Sequence, residues 1–170
     1  IDMTSLTHNA VKVPAPVCLD DFALQLAQQV RQYHPFLLTA RNLYAQVALK
    51  PYAENWYSQS LEQSINRYDF TAIMAMPYME ESSNHRQFYL DLIAQAKKYD
   101  PNLDRTIFEL QAVNWKNNRK ISSQELAETM QLLKQHGVKH FGYYPDDFVQ
   151  QHPHASALKP VFSPDHLDHK

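Results

Sequence analysis

The side chains of this sequence best suited to chemistry gather at four places where an apolar run turns polar and aromatic: Arg41 with Asn42, residues 76–80, residues 109–115 and residues 143–147. The third is the most informative. In TIFELQAVNW (106–115) a period of two puts Ile107, Glu109, Gln111 and Val113 on one face and Phe108, Leu110 and Ala112 on the other. The second face is apolar and suits packing against helices, so Glu109 points into the interior enclosed by the strands. A carboxylate there needs a cation or several donors. Arg41 is the natural partner, as a structural ion pair or as part of a site; the residue pattern identifies no catalytic residue and offers Glu109 as the candidate. Trp56 and Trp115 are the only tryptophans, and each falls just after a strand. Flat aromatics in such places suit the apolar faces of sugar rings. Helix packing accounts for Trp56 equally well, whereas Trp115, flanked by Asn114, Lys116 and Asn117, reads as exposed. Glu80, Glu81, Asp146 and Asp147 add negative charge, either as solvated loops or as a field for a cationic ligand.

Other chemistries find less support. His152, His154, His166 and His169 crowd the C-terminal end, but they stand among Pro and Asp without an i, i+4 helical pair, so a solvated tail is expected and no metal site. The only glycines are Gly137 and Gly142, which excludes a dinucleotide or phosphate-binding fingerprint, and no cofactor is expected. A net charge of −2 over 170 residues offers no basic field for nucleic acid. The single Cys18 reads as a small buried apolar residue. No apolar run is long enough to span a bilayer.

Four elements must bring these groups together. Residues 1–19 carry Pro14 and Pro16 and no clean period, and read as a linker or remnant. A helix with Asp20 or Asp21 as N-cap follows, then a strand over 36–45. Helix and strand alternate three more times. A helix built on Trp56, Tyr57, Leu61, Ile65 and Tyr68 precedes the strand at 70–80, and one built on Phe88, Leu92, Ile93 and Tyr99 precedes the strand at 106–115. Ser122 with Glu125 forms a capping box, Gly137 takes the C′ position, and a strand at 138–144 ends at Pro145. Strand starts near 36, 70, 106 and 138 define about four βα units and a parallel sheet, either barrel or doubly wound. Polar residues at every strand end favour the barrel, of which four units are half, because a doubly wound sheet gathers its ligand groups at one switch point.

TARNLYA (39–45), MAMPYME (74–80), FELQAVNW (108–115), ISSQELA (121–127) and GVKHFGYYPDDF (137–148) occur in one order and spacing. Together they resemble the C-terminal glycoside-hydrolase-like domain of the poly-β-1,6-N-acetyl-D-glucosamine deacetylase lipoproteins that export biofilm polysaccharide. The likeness runs from about residue 20 to 163, leaving 164–170 as a tail. It implies the C-terminal half of a (β/α) TIM-like barrel whose groove binds, and in some members cuts, partially deacetylated polymer. It also implies a periplasmic, outer-membrane-associated parent, with the missing N-terminal half of the barrel and an export porin as partners. The groove positions that match are Trp56 and Trp115 as platforms, with Tyr78, Glu80, Glu109, Gln111, Tyr143, Tyr144 and Asp146 around them. Family members carry their proposed catalytic aspartate on an earlier strand ending in His-Asp-Asp. No such segment precedes Asp20, so binding without hydrolysis is expected of this chain alone.

Overall fold

The computed structural model describes residues 15–162. The first half runs α1 (Ala15–Arg31), β1 (Ala40–Tyr44), α2 (Ala45–Leu49), α3 (Ala53–Tyr57), α4 (Leu61–Arg67) and β2 (Phe70–Ala75). The second half runs α5 (His85–Ala96), β3 (Thr106–Gln111), β4 (Val113–Asn114), β5 (Arg119–Lys120), α6 (Ser123–Gln135), β6 (His140–Tyr144) and α7 (Ala155–Phe162). Four strands form one parallel sheet in the order β1-β2-β3-β6, while β4 and β5 make a separate antiparallel hairpin.

The two faces of the sheet differ as the alternation in β3 requires. Leu43, Thr71, Ile73, Thr106, Phe108 and Leu110 are fully buried against Ile65, Leu92, Ala96, Met130 and Leu133 of the helices. Each large apolar side chain buried in this seam contributes about 1.5–3 kcal/mol, so this seam sets the fold. The opposite, inner face carries Asn42, Tyr44, Ala72, Met74, Ile107, Glu109, Gln111, Gly142 and Tyr144 in register. Most of it is open to solvent: Asn42 and Tyr144 are exposed, and Tyr44, Met74, Ile107, Glu109 and Gly142 are half-buried. Among the described residues the helices cover one face only, as in a segment of a barrel wall, whereas a doubly wound sheet is covered on both faces.

Several boundaries differ from the sequence reading. The first helix begins at Ala15 instead of Asp20, because Pro16 fits a first helical turn whose amide has no partner to lose. Residues 15–19 are therefore helical rather than linker, and Cys18, expected to be buried, is exposed on this helix; residues 1–14 and the tail at 164–170 lie outside the described residues. β1 starts at Ala40 and not at 36, with Phe36 94 % exposed before it. What fixes the start is Asp69, whose carboxylate accepts from the Thr39 amide (2.7 Å), the Thr39 hydroxyl (2.8 Å) and Arg31 Nη2 (2.8 Å). These donors, Thr39 first, hold the Asp69 pKa below its usual value.

The helix expected over 56–68 is broken into α3 and α4 by Ser58 at φ 50, and α2 was not anticipated at all. β3 stops at Gln111, and residues 113–120 fold back as the β4–β5 hairpin, with Asn118 at φ 55 in its turn. β6 begins at His140, two residues after the expected start. The expected N-cap of α6 forms, since the Ser122 hydroxyl accepts from the Glu125 amide at 3.1 Å. Gly137 takes the left-handed position after α6 at φ 87.

Candidate functional site

Glu109 stands on the inner face of β3, as its period-two position requires, but its expected partner does not reach it. Arg41 alternates to the helix side of β1, where its Nε lies 3.6 Å from Oδ1 of Asp20, a fully buried residue of α1. Tyr68 donates its hydroxyl to the same Asp20 oxygen at 3.1 Å. The expected Arg41–Glu109 ion pair is thus replaced by Arg41–Asp20, because one residue along a strand reverses the face. Glu109 instead accepts from the Asn42 amide, at 3.3 Å to Oε2, the two side chains meeting across the short Ala72 of β2. Burial raises the Glu109 pKa above its usual value, and the Asn42 hydrogen bond opposes this only in part.

The C-terminal strand ends carry the aromatics. Trp115, in the β4–β5 turn and 39 % exposed, stacks on Tyr144 of β6 with ring centroids 6.1 Å apart and planes 19° apart. Trp56, in α3 beyond the end of β1, is 86 % exposed. At the end of β1, Tyr44 packs on Tyr57 of α3 with ring centroids 4.7 Å apart. Tyr44 went unremarked in the sequence, although the alternation of Asn42 and Tyr44 in β1 would have placed it inward. Gln59 holds this corner by accepting from the Tyr44 amide and donating to the Asn42 carbonyl.

Two other expected groove residues are committed to the framework. Gln111 is buried; its carbonyl oxygen accepts from the Tyr78 (3.0 Å) and Met79 (3.3 Å) amides, and its Nε2 donates to the Val113 carbonyl at 2.8 Å. It ties the loop after β2 to the hairpin that carries Trp115. The Tyr78 hydroxyl donates to Glu125 at 2.6 Å, and that hydrogen bond is the first cause raising its pKa to about 12. Glu125 therefore turns to Tyr78 while its amide is capped by Ser122.

Tyr143 lies on the helix side of β6, opposite to Tyr144, and meets Phe162 at 6.5 Å. With Asp146 it lines a separate cavity of about 450 Å³. Glu80 lines another, of about 310 Å³, with Gln46, Lys50 and Asp91. Glu81 pairs with Lys116, and Asp147 lies 3.5 Å from Lys120, so two of the four rim acids are neutralised from the hairpin. His152 is buried rather than solvated, with Nε2 3.2 Å from the Ala112 carbonyl oxygen, and its backbone pairs with Asp147. His154 is exposed, and His166 and His169 lie outside the described residues. Among the described residues no group of three His, Cys, Asp or Glu gathers to hold a metal ion, and no helix is long and apolar enough to cross a membrane.

On the inner face of the described sheet Glu109 is the only acid. Glycoside hydrolysis ordinarily takes two carboxyl groups about 5–10 Å apart. The face thus combines one desolvated carboxyl, an amide beside it and stacked aromatic rings at the strand ends. A wall of parallel βα units that carries such groups at its C-terminal strand ends is that of a (β/α)-barrel glycosyl hydrolase. The chain belongs to such a family, matching over residues 8–144 the one described as "Hypothetical glycosyl hydrolase family 13".

Among particular relatives, it is 41% identical over 151 residues to the poly-beta-1,6-N-acetyl-D-glucosamine N-deacetylases of Escherichia coli K12 and O157:H7. The match takes in 85% of this chain and 22% of those proteins, so the chain spans about a fifth of their length. The solved PgaB (BpsB) glycoside hydrolase domain of Bordetella bronchiseptica superposes with a TM-score of 0.84 at 42% identity, covering 89% of this chain and 43% of that one. The fold is therefore part of a TIM-type barrel of this family.

Proposed function

We propose that the chain forms part of a groove that binds partially deacetylated poly-β-1,6-N-acetyl-D-glucosamine, and that within a complete barrel the same groove serves hydrolysis of that polymer. The observation that carries this is the stacked Trp115–Tyr144 pair at the strand ends beyond the Glu109–Asn42 pair. The aromatic faces suit the C–H faces of a pyranose ring, while carboxyl and amide suit its polar edge. Glu80 and Asp146, which have no ion pair among the described residues, add negative charge that suits the ammonium of a deacetylated unit. Trp56, far out on α3, is proposed as a second platform, with Gln111 and Tyr78 holding the loops in place and Tyr143 behind the wall.

Calorimetric titration of the purified chain with partially deacetylated oligosaccharide tests the reading. Binding is expected, weaker for the fully acetylated oligomer, and Trp115→Ala should lose about 1–3 kcal/mol of it. An unchanged affinity in Trp115→Ala would overturn the assignment. A second reading, that the module only guides polymer without cutting it, draws on Glu109 being the sole acid on the inner face of the described sheet. Supplying the complementary barrel half in trans separates the two: released reducing ends mean hydrolysis, and binding without them means guidance. A periplasmic, outer-membrane-associated setting and an export porin as partner belong to the same proposal, and co-fractionation with outer membranes checks them.

A further inference from the structure

Gly142 is one of only two glycines in the sequence, yet it sits within a strand, where glycine weakens the structure. Nothing in the backbone demands it, because Gly137 is the only glycine with a positive φ among the described residues. Packing does not demand it either: a Cβ placed at Gly142 would meet no atom within 4 Å. The position lies on the inner face as the register partner of Glu109, one pleat below Tyr144, whose ring stacks on Trp115. Position 142 thus leaves room beside Glu109 and below Tyr144 that any other residue would fill. A glycine kept in a strand without conformational or packing cause marks a place where something else approaches the backbone.

We propose that Gly142 is a specificity-determining position, whose missing side chain lets one ring of a β-1,6-linked amino-sugar polymer drop below the Trp115–Tyr144 pair. The polar edge of that ring then reaches the Glu109 carboxyl, which the Asn42 amide orients. The inference rests on the groove reading above and adds to it which ring position is read, and by what. Any side chain at 142 would stand in the path, and a branched one would close it.

The test compares Gly142→Ala, Gly142→Val and Trp115→Ala with the wild-type chain, titrating partially deacetylated β-1,6-glucosamine oligosaccharide and following thermal unfolding. Gly142→Ala is expected to fold normally and bind several-fold more weakly. Gly142→Val should lose about tenfold or more in affinity, without a lower unfolding midpoint, since β-branched residues favour strands. Wild-type affinity in both Gly142 variants, with binding lost in Trp115→Ala, would overturn this inference and leave the groove reading standing. Undiminished binding by Trp115→Ala, or none by the wild-type chain, would overturn the groove reading and this inference together. Should Gly142→Val fail to fold, the alanine variant decides, because its single added methyl group meets nothing.

Discussion

Glu109 shows how a single position couples stability to pH. Burial raises its carboxyl pKa above the usual 4.5, so the folded chain holds that proton over a range in which the unfolded chain has released it. Stability contributed by the group is intact below the unfolded value and falls as pH rises through the folded one. Glu109→Gln, which keeps the size and the contact with Asn42, is therefore expected to unfold at a higher temperature than wild type at pH 7. The two should coincide below pH 4.5, and thermal melts followed by circular dichroism across that range check it. Tyr78 presents the opposite case, because its hydroxyl is already given to Glu125. Tyr78→Phe should cost about 1–2 kcal/mol of stability in urea while leaving oligosaccharide affinity within about twofold; a large loss of affinity would restore Tyr78 as a direct contact.

At the scale of elements, α1 is attached in an unusual sense. Among its described side chains only Asp20 is fully buried, its carboxylate shared by Arg41 and Tyr68, whereas Phe22 and Leu26 point outward at 60% and 53% exposure. Removing Asp20 leaves Arg41, whose side chain is 20% exposed, without its counter-charge. Asp20→Ala is expected to destabilise the chain by about 3 kcal/mol, with faster amide exchange concentrated in α1. Exchange that rises evenly over all helices would argue against a local clamp. The β4–β5 hairpin is the other element whose placement matters, since Gln111 and the Lys116–Glu81 and Lys120–Asp147 pairs lock Trp115 between the loops after β2 and β6.

For the whole molecule, the described residues form a sheet with β1 and β6 as edges and an inner face that none of the described helices covers. Open parallel edges and a row of outward apolar side chains favour association. The wild-type chain is expected to self-associate with rising concentration. Phe22→Lys combined with Leu26→Lys should lower the average mass in sedimentation velocity without lowering the unfolding midpoint, because neither side chain is buried. A mass that stays constant in both proteins would mean that this helix face attracts nothing.

The sequence alone determined what rests on local periodicity and capping. The βα order, the inward position of Glu109, the Ser122 cap and the glycine after α6 all follow from neighbours a few residues apart, and the family likeness rests on the same strand ends. Tertiary structure decided the rest. Arg41 was assigned to the wrong carboxylate because periodicity does not say which face of β1 turns to the helices; pairing with β2 sets Arg41 beside Thr71 and Leu43 beside Ile73, on the buried side. The β4–β5 hairpin escaped notice because two-residue strands carry no period, and with it went the stacking partner of Trp115. Gly142 is one glycine among residues of a strand until the register sets it beside Glu109 and the space above it proves empty. Distances along the chain specify elements, but a site made from four strand ends exists only once those strands are placed side by side.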